Sequence, residues 1–255
     1  HPEKGEEARK LFADAQAMLQ QIIDEKWLAA KAVIGFWPAN SIGDDVEVLD
    51  ENGKELAKYY FLRQQTAKEG ANLCLSDFIA PRETGLTDYI GGFAVTAGIG
   101  IDAHVARFEA DHDDYSAIML KALADRLAEA FAELMHLRVR KEFWGYAPTE
   151  TLEIKDLVRE EYQGIRPAIG YPACPEHSEK RTLFNLLQAE ENAGIQLTES
   201  YAMFPTAAVS GLYFAHAEAK YFALGKINDE QLYNYTTRKG MDPDELRRII
   251  SPNID

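Results

Sequence analysis

Apolar residues recur at spacings of three and four along residues 6–25 (Leu11, Phe12, Ala15, Met18, Leu19, Ile22, Ile23), which predicts an amphipathic helix. The run Ala32–Trp37 then reads as a strand ended by Pro38. Asp45–Leu49 and Leu56–Leu62 flank Asp50-Glu-Asn-Gly53, a hairpin signal. Leu73–Ile79 and Tyr89–Ala97 are further strand candidates, and Gly91 and Gly92 mark a bulge or a close backbone approach in the second. The longest helix is predicted over 103–142, with a break near Asp111. Its stripe is Tyr115, Met119, Leu123, Leu127, Ala130 and Leu134, with Glu129 on the flank. The part after Asp113 would span roughly 40 Å at the rise of an α-helix. Helices follow at 151–162 and at 179–192, the latter capped by Ser178 and stopped at Gly194. Leu197–Phe204, Gly211–His216 and Tyr221–Ile227 alternate like strands. Asn228 with Gln231, and Asp242-Pro243 with Glu245, announce two closing helices. Hairpin-like pairs outnumber βαβ units, so residues 1–255 read as one α+β domain with a mainly antiparallel sheet.

Composition narrows the function. The net charge of −15 argues against a nucleic-acid partner, whose phosphates would be repelled. No apolar run approaches the about 20 residues needed to cross a bilayer, and no basic-then-apolar leader is visible. Two cysteines, Cys74 and Cys174, suit a reducing, cytoplasmic compartment better than a disulfide framework. The chain starts at His1 without methionine, inside a charged helical run, which points to a piece of a longer polypeptide.

Candidate chemistry gathers in Arg166-Pro-Ala-Ile-Gly-Tyr-Pro-Ala-Cys-Pro-Glu-His-Ser-Glu-Lys180. Its prolines and glycine exclude helix interior and central strand, and the residue before each proline is driven extended. A stiff extended loop results, suited either to presenting groups to a ligand or to linking two helices. Arg166 fits a carboxylate or phosphate through its planar fork, and Tyr171 offers an aromatic face.

Other constellations are weaker. Asp111-His112-Asp113-Asp114 could be the corner of a metal site, hence of a metal hydrolase, but Asp113 or Asp114 equally suits a helix cap. Cys174-Pro-Glu-His177 has the spacing of half a zinc site without a second half. Neither a Gly-x-Ser-x-Gly elbow nor a Gly-x-Gly-x-x-Gly loop occurs. Arg138-x-Arg140-Lys141 is the one dense basic cluster, either complementing a helix C-terminus or docking an acidic redox protein.

The loop resembles the signature of the S-adenosylmethionine-binding activation domain of cobalamin-dependent methionine synthase. Other blocks resemble that family in the same order: Arg63-Gln-Gln65, Asp88-Tyr-Ile-Gly91, His112-Asp-Asp-Tyr115, Lys121–Ala130, Trp144-Gly-Tyr-Ala-Pro148 and Ser210-Gly211. The resemblance spans nearly the whole chain. It implies a C-shaped domain around a bent sheet. It also implies reductive methylation of inactive cob(II)alamin, with an electron from flavodoxin or a flavoprotein and a methyl group from S-adenosylmethionine. Cobalamin would be carried mainly by a neighbouring domain of the same polypeptide.

By that resemblance Arg166 pairs with the ligand's carboxylate, backbone around Ala168 reads the adenine, and Gly170 lets the ligand come close. Tyr171 lies near the sulfonium. Glu129 and Glu160 supply acidic groups, and Tyr221-Phe222 is an aromatic pair touching the ligand. No catalytic residue is expected, because cobalt is the nucleophile. The family also has an aspartate in an Asp-Trp-x-Pro-Phe-Phe stretch, upstream of the region matching residue 1, that holds the ammonium. No such stretch occurs here, so the site is expected to lack one anion. A stand-alone module that senses S-adenosylmethionine without chemistry is the alternative.

Overall fold

A computed structural model describes residues 2–254, which leaves His1 and Asp255 outside the description. Five antiparallel strands form the main sheet: β1 (Ala29–Ile42), β2 (Asp45–Leu49), β3 (Glu55–Tyr60), β4 (Asp88–Ile99) and β7 (Ala208–Tyr213), in the order β3-β2-β1-β4-β7. A short hairpin, β5 (Gln196–Leu197) with β6 (Met203–Phe204), stands apart. The α+β class and antiparallel sheet agree with the sequence pattern.

β1 runs through Pro38 instead of ending there. Pro38 lies opposite Tyr89 of β4, and pairing with β2 begins only at Ala39. A residue without an N–H is tolerated where the second neighbour has not yet joined. β4 is buried along most of its length, because helices cover both of its sides. On one side α5 (Glu179–Leu187) packs Leu183, Phe184 and Leu187, and α6 (Ala189–Ala193) packs Ala189 and Ala193, in one core with Ile90 and Ala94. On the other, α3 (Asp114–Arg138) packs Ala132 and Met135 against Phe93, Val95 and Tyr213. Gly92 gives a close approach, not a bulge: an added Cβ would stand 2.5 Å from Leu183.

Helix α1 (Pro2–Glu25) docks through Met18 and Ile22 with Ala15 beside them, while Leu11, Phe12 and Ile23 stay exposed. α2 (Ile101–Ala110) and α3 are separated where the sequence broke. His112 adopts φ 58°, and Asp113 caps α3 by accepting from the Ser116 amide. Met119 of the predicted stripe is buried, but the stripe as a whole lies on a different line. The buried line of α3 is Ala117, Leu120, Ala124, Ala128, Ala132 and Met135, while Tyr115 and Leu134 are exposed. This is one residue further round, about 100°. Alanines let the helix backbone lie close to the sheet, whereas Leu123 and Leu127 sit at its margin.

Other expectations changed for local reasons. Leu73–Ile79 is a 3-10 turn (Leu75–Phe78), because the Asp77 carboxylate accepts the Cys74 amide 2.8 Å away and replaces a ladder partner. Of 151–162 only α4 (Ile154–Val158) forms, and Glu160 at φ 58° turns the chain away from it. The helix at 179–192 breaks at Gln188 (φ 48°) before stopping at Gly194. Ser178 does not cap α5. Its hydroxyl donates to Glu176, at 2.8 Å. Tyr221–Ile227 is no strand but an extended connection to α7 (Asp229–Lys239), which Asn228 caps through the Gln231 amide. α8 (Pro243–Ile249) is capped by Asp242.

Two features hold the proline-rich loop. At its start, residues 165–168 lie along the outer edge of β7. Ile165 and Phe214 exchange backbone bonds of 2.9 and 3.0 Å, and the Leu212 amide donates to the Pro167 carbonyl at 3.0 Å. Gly211 makes this approach possible: a Cβ there would lie 2.5 Å from the Pro167 oxygen. At its end, the Lys239 ammonium of α7 reaches Glu176, Ser178 (2.7 Å) and Glu179 (2.7 Å), and the Tyr235 hydroxyl donates to Glu176 at 3.1 Å. One ammonium serves two buried carboxylates. Burial pushes Glu179 up to about 7 against the pull of Lys239. Burial draws Lys239 down, but the two carboxylates more than offset it and hold it above its ordinary value.

Gly211→Ala is therefore expected to lower stability by about 1–3 kcal/mol, since the edge contact must open, read as a shift in the urea midpoint. Lys239→Met leaves two buried carboxylates without their cation and is expected to cost about 3–5 kcal/mol at pH 8. Glu179 in the fold keeps a proton that the unfolded chain releases between its ordinary 4.5 and about 7. Its contribution is complete below 4.5 and is lost as pH rises through 7. The Lys239→Met deficit should accordingly shrink as urea melts are repeated from pH 8 down to pH 5.

Candidate functional site

Between α3, the edge segment beside β7 and the connection 221–223 lies a cavity of about 490 Å³. The edge segment and loop contribute Arg166, Pro167, Ala168, Tyr171, Pro172 and Ala173. Glu129 comes from α3, Glu160 from the turn after α4, Val209 from β7, and Tyr221, Phe222 and Ala223 from the connection. Of the residues singled out from sequence, Glu129, Glu160, Arg166, Ala168, Tyr171, Tyr221 and Phe222 come together here.

Gly170 does not line this cavity. It has φ 99°, and an added Cβ would stand 2.4 Å from the His177 ring. Its glycine character serves the turn and the packing of His177, not a ligand's approach. The turn is closed by its own backbone: Gly170 N donates to Cys174 O (2.7 Å), and Cys174 N to Tyr171 O (2.9 Å). Leu224 N donates to Pro172 O at 2.8 Å, which ties the connection to the loop. The Ala168 amide has no protein acceptor among the described residues.

Arg166 is mostly enclosed, with its side chain 19% exposed. Its Nη2 donates to Glu133 Oε2 at 2.7 Å. Burial would lower its pKa, but the bond to Glu133 more than compensates and raises it. Its backbone N–H donates to the Tyr221 hydroxyl at 3.0 Å, and that hydroxyl also bonds Tyr162 at 3.1 Å. Burial raises the Tyr221 and Tyr162 pKa values, so both stay neutral phenols. Tyr221 thus spends its hydroxyl on the scaffold. Tyr171 is 60% exposed at the rim, so its ring is open to solvent and to any ligand.

Behind the cavity, His136 of α3 stacks on Tyr213 (centroids 5.3 Å apart) and meets Tyr162 edge-on (4.8 Å). Burial, with the Arg140 and Arg166 charges, pulls its pKa well below the usual range, so the imidazole is neutral. Sequence reading missed Glu133, Tyr162 and His136. For Glu133 and His136 a signal existed, since they lie four and seven residues after Glu129 on one face of α3.

The remaining constellations resolve otherwise. Arg140 is buried with its Nε and Nη2 on the Glu150 carboxylate (2.8–3.1 Å), Arg138 pairs with Glu142 (2.9 Å), and Lys141 donates to the Glu150 carbonyl (2.7 Å). The basic cluster is thereby largely neutralised. Asp113 is occupied as a cap, and among the described residues no three His, Cys, Asp or Glu side chains are placed to hold a metal ion. Cys174 is buried in the core with its pKa raised by burial. Among the described residues no helix is long and apolar enough to cross a membrane.

A solved structure described as "Crystal Structure of the MetH Reactivation Domain bound to AdoHcy" superposes with a TM-score of 0.94. It is 53% identical, over 98% of this chain and 78% of the other. Residues 1–240 match the family described as "Vitamin B12 dependent methionine synthase, activation domain". The chain belongs to the activation-domain family of vitamin B12-dependent methionine synthase.

Proposed function

We propose that the cavity beside β7 binds S-adenosylmethionine and that the domain presents it for reactivation of the cobalamin of methionine synthase. The observation that carries this reading is one cavity joining a fixed arginine, two carboxylates, a backbone amide without a protein acceptor and three aromatic rings. Its volume lies within the ordinary range for ligands of this size. The ligand offers a complement for each: its carboxylate for Arg166, its ammonium for Glu129 or Glu160, and its adenine edge for the Ala168 backbone. Pro167, Pro172, Val209 and Phe222 give the adenine apolar walls. Tyr171, at the rim, offers its π-face to the sulfonium.

When bound, S-adenosylmethionine supplies a methyl group on a positively charged sulfur to the reduced cobalamin of a neighbouring domain. The chain's own residues need to bind, orient and shield. The enclosed end holds the amino-acid part, and the open rim at Tyr171 leaves the sulfur accessible from outside. No side chain here has to act as a base. Residues 1–255 form one such domain in this reading. The stretch upstream of residue 1 in the family supplies a further partner for the ammonium, and the electron donor is a flavodoxin or another flavoprotein. The enzyme is cytoplasmic, in keeping with the buried free thiols Cys74 and Cys174.

Calorimetric titration with S-adenosylmethionine tests the reading. Arg166→Ala is expected to keep the fold and weaken binding by about 2–5 kcal/mol, some thirtyfold to several-thousandfold. Unchanged affinity would remove Arg166 from the site. Tyr171→Phe should bind as the parent does, whereas Tyr171→Ala should lose affinity. Equal damage from both would show that the hydroxyl, not the ring face, makes the contact.

A further inference from the structure

Glu129, Glu133 and His136 form one polar line along α3, at spacings of four and three. Glu129 reaches the cavity, but Glu133 lies one turn behind it and is not among the lining residues. What Glu133 touches is the arginine. Its Oε2 accepts from Arg166 Nη2 at 2.7 Å, while its Oε1 is buried without a partner. On the arginine, Nη2 is committed to Glu133, and Nε is buried with nothing to donate to. Only Nη1 is neither bonded nor enclosed.

Among the described residues no other carboxylate pairs with this guanidinium. Tyr162 and Tyr221 beside it are neutral phenols, and His136 is a neutral imidazole. The guanidinium is thus fixed at a single point, with one N–H-bearing nitrogen left facing outward. We propose that Glu133 is the positioning residue of the site: by holding Nη2 it turns the Nη1 edge of Arg166 toward the ligand's carboxylate. This rests on the ligand assignment above and adds a specificity consequence. Glu133 should govern recognition of the amino-acid end of the ligand and leave recognition of its nucleoside end untouched.

The geometry requires an acceptor at Oε2, not a negative charge. Glu133→Gln keeps an amide oxygen there, and Glu133→Ala removes the acceptor. The experiment compares two probes by calorimetry: S-adenosylhomocysteine, which carries the amino acid, and 5′-methylthioadenosine, which has the same nucleoside and sulfur without it. Glu133→Ala is expected to weaken S-adenosylhomocysteine by about tenfold or more, in line with losing one bond to a charged group. Its affinity for 5′-methylthioadenosine should not change. Glu133→Gln should stay within about threefold of the parent for both probes. If Glu133→Ala does not fold, Glu133→Asp makes the same comparison, since a carboxylate one methylene shorter no longer reaches Nη2.

The proposal is overturned if the ratio of the two affinities is the same in parent and variant, whether both probes weaken together or neither does. It is also overturned if Glu133→Gln is as impaired as Glu133→Ala. A parent chain that binds neither probe would instead sink the ligand assignment, and this inference with it.

Discussion

Seating the Ile165–Ala168 segment against β7 is the constraint from which the site follows. The segment has no strand beyond it, contains a proline that cannot donate, and is held by a few backbone bonds over a residue without a side chain. Yet it decides where everything else points. Ile165 enters the core under α5 and α6, and Arg166 turns the opposite way, toward α3. That alternation is the ordinary property of extended chain. Here it places a guanidinium against a helix from another part of the sequence.

The loop that follows is held at both ends by charge, on opposite sides of the sheet. Arg166 is tied to α3 at the start, and Glu176 and Glu179 are tied to α7 at the end. Between them the turn closes on its own amides and on the 221–224 connection. Rigidity thus comes from many small constraints that leave few polar groups available, and those left over are the ones that face the cavity. Tyr221 shows the economy: its hydroxyl and its ring serve different tasks, one on the scaffold and one in the wall.

How much of this the sequence disclosed depends on the kind of signal. Caps and turns with local chemistry were legible: Asp113, Asn228, Asp242 and the turn after Asp50 form as their side chains dictate. The class of the sheet was legible from hairpin spacing. The face of α3 was not, because the ranking of hydrophobic residues favours leucine while the packing favours alanine. Leu73–Ile79 and Tyr221–Ile227 carry strand-like composition, but their backbone partners are a carboxylate and scattered loop carbonyls. Seven residues linked to the ligand by resemblance do meet at one cavity. Glu133 escaped notice because its role is exercised through another side chain. Gly170 drew notice for a reason that its contact with His177 replaces.

The scatter of the cavity's walls along the chain has a consequence for assembly. Its residues come from positions 129 to 223, and no two of its structural elements are joined by a tight turn alone. Contacts between distant residues form late, since the chain between them must first be ordered. The β1–β4 sheet with α3 can organise from earlier parts of the chain, but the pocket waits for β7 and for the connection after it. Binding competence should then be among the last properties this chain acquires as it folds, and among the first it loses on local opening at the β7 edge.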